Sequence, residues 1–182
     1  MSLYQSALEE LGGVFTRIDD NAVNAAVEEI AAAKRIAVHG VGREGLQMKG
    51  LAMRLFHLGL DASVVGDMTT PPIGKGDLLI VSAGPGYFGT VTALMEVARK
   101  AGARTLLVTA QPGGASAKAA DRVLVIPAQT MADDRGPSAS VLPMGSLFEG
   151  AQYLLFEVMI LKLRDRLGIT PEAMRANHTN LE

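Results

Sequence analysis

Apolar residues recur along the chain in two patterns, one of helical spacing and one of short continuous runs. The spacing of Leu8, Leu11 and Phe15 is that of one helical face, and it predicts a helix over residues 2–19. A second helix is predicted over residues 21–33. The short runs predict strands over residues 35–39, 62–65, 78–81, 105–108 and 123–126. Further helices are predicted over residues 45–58, 90–101, 115–120 and 147–167, with a short terminal helix from Pro171.

Strands that alternate with helices in this way predict parallel strands joined by right-handed crossovers. The expected fold is an α/β single domain over residues 1–182, with a doubly wound, five-stranded parallel sheet flanked by helices. Residues 1–33 would form N-terminal helices, residues 34–127 the sheet core and residues 144–182 C-terminal helices. A polar loop over residues 128–143 would join the last two parts.

The composition narrows the class of protein. The net charge is −2 with no long run of one sign, which argues against nucleic acid and anionic membranes as partners. With no cysteine, disulfides, thiolate metal sites and cysteine nucleophiles are excluded. No apolar run reaches the roughly 18 residues of a membrane span, and no signal peptide is expected at the start. A cytoplasmic location is therefore predicted.

A glycine turn follows the first predicted strand and leads into a helix. Gly40, Gly42 and Gly45 let the backbone turn tightly and let a ligand approach the free N–H groups of the helix. The spacing lacks the third glycine in register that a full dinucleotide fingerprint requires. A nucleotide site, a sugar site and a turn with no ligand all remain open on this pattern alone.

A second glycine loop follows the third predicted strand. A loop that binds phosphate usually offers several N–H and hydroxyl donors, but Pro85 has no N–H and Ala83 has no hydroxyl. The loop is therefore poorer in donors than a standard phosphate site. The groups that remain are the hydroxyls of Ser82 and Thr90, the amides of Gly84 and Gly86, and the phenol of Tyr87.

The role of Glu149 at the start of the long helix can be interpreted in two ways. Ser146 followed three residues later by Glu149 is the pattern of a capping box, in which the carboxylate only satisfies the helix start. Alternatively, a carboxylate held in a cleft can move a proton between neighbouring carbons of a sugar. The three histidines, His39, His57 and His178, lack ligand spacing, so a metal site is not expected.

Several segments, taken in order, resemble the 6-phospho-3-hexuloisomerase family of the sugar-isomerase (SIS) superfamily. They are residues 40–45, 52–59, 64–71, 74–80 and 143–149, and the closing residues His178, Asn180 and Leu181. The resemblance implies a flavodoxin-like SIS fold and aldose–ketose isomerisation of a sugar phosphate, with neither metal nor nucleotide cofactor. It also implies a homotetramer that shares active sites between subunits.

The same resemblance assigns roles to individual residues. Glu149 matches the family's catalytic carboxylate, and His178 matches the tail histidine that helps open the ring or move protons. Thr69 and Thr70 match residues near the sugar. The candidate substrate-binding residues are Gly40, Gly42, Arg43, Glu44, Thr69, Thr70, Ser82, Ala83, Gly84, Gly86, Tyr87 and Thr90.

Two departures from the family pattern concern the ligand. The family has serine where this chain has Glu44, and an ionised Glu44 would repel a phosphate dianion beside it. The second loop has lost both family serines and the threonine. An altered ligand is predicted: a phosphate held differently, or a sugar derivative without phosphate there. A non-catalytic sugar-binding sensor or regulatory protein is the first alternative, and a nucleotide-binding module the second.

Overall fold

The computed structural model describes residues 2–136 and 140–181, so part of the predicted loop over 128–143 lies outside the described residues. Five strands form one parallel sheet in the order β2-β1-β3-β4-β5. Gly40 pairs with Ser82, so β1 and β3 end side by side and their two glycine loops are neighbours. The predicted five-stranded parallel sheet is confirmed. The strands are β1 (Ile36–Gly40), β2 (Ala62–Val64), β3 (Leu78–Ser82), β4 (Arg104–Thr109) and β5 (Arg122–Val125).

Seven helices accompany the sheet in the described ranges. The third begins at Gly42, three residues before the predicted start, because the turn after β1 is very short. A Cβ atom on Gly45 would lie 2.6 Å from the Gly40 carbonyl oxygen, so this close approach of helix to strand requires glycine. The helices are α1 (Leu3–Phe15), α2 (Asp20–Ala31), α3 (Gly42–His57), α4 (Gly89–Lys100), α5 (Ala115–Ala119), α6 (Ser146–Leu167) and α7 (Pro171–Ala176).

Two hydrophobic clusters cover the two faces of the sheet. Alternate residues of β3 point to opposite faces: Ile80 packs with α2, α3 and α6, whereas Val81 packs with α4. Every residue of β3 is buried, as expected of a central parallel strand covered on both sides. This arrangement is the predicted doubly wound α/β fold.

The start of α6 differs from the capping-box interpretation, which is wrong. The N-cap is Gly145 in a left-handed conformation (φ 84°), and no side chain caps the helix. Ser146 is already the first helical residue, and its hydroxyl accepts a hydrogen bond from Arg43 at 3.0 Å. The Glu149 carboxylate is therefore available for another partner.

The chain ends with α7 packed against α3. The Asn177 side chain donates to the His57 carbonyl at 3.0 Å, which fastens the segment after α7 to the C-terminal end of α3. In the described ranges, no helix is both long and apolar enough to span a membrane.

Candidate active site

A cleft of about 320 Å³ opens at the carboxyl ends of β1 and β3. Its walls come from the first turn of α3, the loop after β3, the loop after β5 and the start of α6. Ligands of open α/β sheets bind at this end of the strands, where neighbouring loops separate. The cleft is thus the natural place for the site, and it brings Gly42, Arg43, Glu44 and Glu149 together.

Arg43 and Glu149 form an ion pair across this cleft, with Nε 2.9 Å from Oε2. The Glu149 side chain is only 15% exposed. The guanidinium also donates to the Ser146 hydroxyl and to the Met144 carbonyl, which stands in a left-handed turn (φ 56° at Met144) before α6. Arg43 is therefore fixed by three partners, and it orients the carboxylate in turn.

Burial raises the pKa of Glu149 above its ordinary value, because water no longer stabilises the charge. The Arg43 guanidinium acts in the opposite direction through its charge and its hydrogen bond, but burial dominates. A carboxylate with a raised pKa is a stronger base once it is ionised, and its pKa lies closer to a neutral working pH. The cleft therefore contains one carboxylate suited to proton transfer.

Glu44 lies deeper and faces the loop after β3. Glu44 is only 6% exposed. Its carboxylate accepts hydrogen bonds from the Gly84 N–H at 2.9 Å and from the Ser82 hydroxyl. Gln152 on α6 donates to the same hydroxyl at 2.9 Å. Burial raises the pKa of Glu44, and the neighbouring Glu149 adds to this, while the bonds from Ser82 and Gly84 oppose it.

Gly84 is required for this arrangement. A Cβ atom there would lie 2.9 Å from Glu44 Oε1 and 2.9 Å from the Phe148 ring, closer than such contacts occur. The sequence predicted that Gly84 would help bind the substrate, but its N–H is bound to the chain's own carboxylate.

Other predicted substrate-binding residues lie away from the cleft. Tyr87 and Thr90 are exposed, and neither lines the cleft. From this part of the chain, Pro85 and Phe88 line it instead. Thr69 and Thr70 lie in a separate depression beside Lys49, where the Thr70 hydroxyl donates to the Val64 carbonyl at 2.6 Å. Three more candidates, Ser82, Ala83 and Gly86, are buried, Gly40 is half-buried, and none of the four lines the cleft.

His178 does not meet Glu149 within one chain. Its ring stacks on His57, with centroids 5.3 Å apart, at the C-terminal end of α3. Glu149 lies against Arg43 at the N-terminal end of the same helix. Since α3 has 16 residues, the two ends are about 24 Å apart.

Comparison with known proteins identifies the family of this chain. The sequence pattern of the SIS domain matches residues 29–149, which run from α2 to the first turn of α6. The chain belongs to the SIS domain family.

The chain is also similar to proteins named 3-hexulose-6-phosphate isomerase. That of Mycobacterium gastri is 37% identical over 174 residues, covering 96% of this chain and 87% of the relative. That of Bacillus subtilis is 33% identical over 175 residues, covering 96% and 95%. A solved structure from Methanococcus jannaschii, from which the same isomerase function was inferred, has a TM-score of 0.82 and 27% identity. The alignment covers 99% of this chain and 97% of that one.

The candidate site contains residues that were not predicted from the sequence. Gln152 is fully buried and stands one turn after Glu149, and its side chain supports Ser82. The signal was present: a lone amide within an apolar stretch of helix. Thr130 and Met131 line the cleft from the loop after β5, but no local pattern indicated that this loop folds back over the site.

Proposed function

We propose that the protein is an intramolecular sugar isomerase acting on a sugar phosphate or a related sugar derivative, most like 3-hexulose-6-phosphate isomerase. The reaction class is supported by the SIS family and by relatives of that name at 33% and 37% identity. One structural observation carries the assignment to this cleft: the largely buried Glu149 carboxylate stands in it, oriented by Arg43.

Glu149 would act as the base of an enediol(ate) mechanism. The carboxylate removes a proton from the carbon next to the sugar carbonyl, and the electron pair of that C–H bond forms the carbon–carbon double bond of an enediolate. The same carboxyl group then returns the proton to the former carbonyl carbon. A hydroxyl proton moves between the two oxygens, so the carbonyl has shifted by one carbon and nothing is gained or lost.

Arg43 would stabilise the negative oxygen of the enediolate. Its guanidinium is already held by Ser146 and the Met144 carbonyl, so little reorganisation is needed when charge develops. Thr69 and Thr70, which were predicted to lie near the sugar, are in a separate depression. Arg43 is the better-positioned donor within one chain.

A homotetramer with shared active sites would give His178 access to the reaction. Within one chain His178 stacks on His57, at the opposite end of α3 from the Arg43–Glu149 pair. A His178 that takes part in catalysis would therefore act in the cleft of a second subunit. An exposed apolar stripe on α6, made by Leu154, Val158 and Leu161, offers a surface for such an association.

The proposal is tested by an isomerase assay on fructose 6-phosphate and 3-hexulose 6-phosphate, beside the same sugars without phosphate. Turnover of a member of this panel by the purified protein, and its loss in Glu149→Gln, is the expected result. No turnover of any member would reject the proposed function.

A sugar-binding sensor that lost turnover is the second candidate. The loop after β3 favours it, because the Ser82 hydroxyl and the Gly84 N–H that could bind substrate are already bound to Glu44. A sensor would bind one of these sugars in calorimetry without converting it, and Glu149→Gln would change the affinity rather than abolish a reaction.

A further inference from the structure

The loop after β3 is placed where α/β folds commonly bind anions, but the main-chain donors of its first four residues, 83–86, are either missing or already used. Such a loop binds phosphate through N–H groups that point at the ligand. Pro85 has no N–H. The other three N–H groups of residues 83–86 are paired within the chain: Ala83 with the Val108 carbonyl at 3.0 Å, Gly84 with the Glu44 carboxylate at 2.9 Å, and Gly86 with the Ala83 carbonyl at 2.9 Å.

The one hydroxyl at the start of this loop is also used. Ser82 donates to Glu44 and accepts from the Gln152 amide at 2.9 Å. Ser82 and Gln152 are fully buried, so this chain of hydrogen bonds is held in place by the surrounding core. A phosphate could reach Ser82 and Gly84 only by displacing the Glu44 carboxyl group.

Displacing Glu44 is unfavourable. The residue lies in the first turn of α3, where the partial positive charge of the helix end favours an acidic side chain. It is buried, so moving it would separate Ser82 and Gly84 from their acceptor before any ligand compensates.

The charge of the cleft also disfavours a second anion. Among the described residues, the ionisable side chains that line it are Arg43, Glu44 and Glu149. The single cation is already paired with Glu149 at 2.9 Å, which leaves Glu44 without a cationic partner in the cleft. A phosphate dianion would add two negative charges beside these carboxyl groups.

From these contacts we propose that Glu44 occupies the position of a substrate phosphate at the Ser82–Gly84 loop and thereby selects sugars that have an uncharged hydroxyl there. Glu44 is on this basis a specificity-determining residue. Glu44 lines the cleft, and a carboxyl group accepts hydrogen bonds, which a sugar hydroxyl can donate and a phosphate dianion cannot. The assignment of the ligand as a sugar rests on the proposed function, whereas the filled anion position rests on the contacts of Glu44 alone.

The first experiment compares binding of inorganic phosphate to the wild-type protein and to Glu44→Ser by calorimetry. Serine is shorter, so the substitution frees the Ser82 hydroxyl and the Gly84 N–H and removes a negative charge. Affinity for phosphate is expected to rise about tenfold or more, since hydrogen bonds to a charged group are strong. Glu96→Gln, on the exposed side of α4, removes a carboxylate outside the cleft and should change nothing.

The second experiment measures kcat/KM for matched sugars with and without phosphate. The wild type is expected to prefer the unphosphorylated member of a pair, and Glu44→Ser to move the preference toward the phosphorylated one. Glu44→Gln retains size and removes the charge, so it decides the question if Glu44→Ser does not fold. It should raise phosphate affinity in the same direction by a smaller factor.

The outcomes separate this inference from the proposed function. A wild type that prefers the phosphorylated sugar, together with unchanged or weaker phosphate binding in the Glu44 variants, overturns the role of Glu44 while the isomerase proposal stands. A wild type that converts no sugar rejects the isomerase proposal, and the phosphate titration still decides whether Glu44 fills an anion position.

Discussion

The Nε atom of Arg43 lies 2.9 Å from Oε2 of Glu149 and joins the first turn of α3 to the first turn of α6. A second ion pair joins these helices further along, where Arg54 Nε lies 3.0 Å from Glu157 Oε1 and Nη2 lies 3.1 Å from Oε2. The first pair lines the cleft and the second lies outside it. The second pair therefore provides matched controls for variants of the first.

Replacing Glu149 by Gln should abolish turnover with little loss of stability. The amide keeps the size and a hydrogen bond to Arg43 but cannot accept a proton, so kcat should fall by about 10²–10⁴-fold. The melting temperature should change no more than in Glu157→Gln, which removes the carboxylate of the control pair. Near-full activity of Glu149→Gln would remove this residue from the mechanism.

Replacing Arg43 by Gln should move the acidic limb of the pH–rate profile to higher pH. Arg43 lowers the pKa of Glu149, so its removal lets burial raise that pKa further, and the base ionises later. The wild-type limb should itself lie above the ordinary glutamate pKa of about 4.3. The pH profile of kcat/KM measures the position of the wild-type limb and its shift in Arg43→Gln, and Arg54→Gln is the control. A limb that moves to lower pH would contradict the assignment.

Mixing two inactive variants should restore activity if subunits share their sites. In a mixed pair of Glu149→Gln and His178→Asn subunits, one cleft combines an intact Glu149 with an intact His178. Random pairing in a symmetric assembly would return about a quarter of wild-type activity. The measurement is turnover after co-refolding at equal concentrations. Activity no higher than the sum of the separate variants would exclude this sharing.

The α6 stripe should be an interface between copies of the chain. Val158 lies at its centre, 39% exposed, between Leu154 and Leu161. Val158→Glu should shift the protein to smaller species in light scattering, because a charge buried at an apolar contact is costly. Val97→Glu is the matched control on α4, which covers the opposite face of the sheet. A wild type that is monomeric at micromolar concentration would contradict this prediction.

Glu44→Gln should become relatively more stable as the pH rises. The pKa of Glu44 is raised in the folded state, so the folded protein binds the proton more tightly than the unfolded one. Wild-type stability from this group is therefore present below about pH 4.3 and is lost as the pH rises through the higher folded pKa. The denaturation midpoint of the variant relative to wild type should increase between about pH 4 and pH 7.

Glu96→Gln provides a control of opposite sign for this experiment. Hydrogen bonding and charge from Lys100 lower the pKa of Glu96, so its ionised form is favoured by folding. The variant should lose stability relative to wild type as the pH rises toward about 4.3 and stay level above it, and the loss should be small because the pair is exposed. If the stability of Glu44→Gln relative to wild type falls as the pH rises, the ionised carboxylate is stabilised by folding and the prediction for Glu44 is wrong.

The strands and the order of elements could be predicted because their signals are local. A short continuous apolar run such as residues 78–81 is typical of a strand covered on both faces, and in the structure it is β3. Helix starts were less accurate. The capping-box interpretation was wrong because the Ser146 hydroxyl accepts a hydrogen bond from Arg43, a residue that only folding brings close to it.

The site could be predicted in part. Glu149 and Arg43 were identified as site candidates, and the structure brings them together. Gln152 was missed because its partner, the Ser82 hydroxyl, comes from another part of the chain. Thr69 and Thr70 were expected near the sugar, but α3 and β2 hold them in a separate depression.

The sequence by itself determined the elements, the parallel sheet and the chemical groups available for a site, because periodicity and residue type are properties of the chain. Only the tertiary structure decided where those groups point. The presence of Glu44 in a glycine turn indicated a conflict with phosphate, but its direction depends on α3 approaching β3 and on the space left by Gly84. Side-chain partners distant in sequence are chosen by packing, which no local pattern encodes.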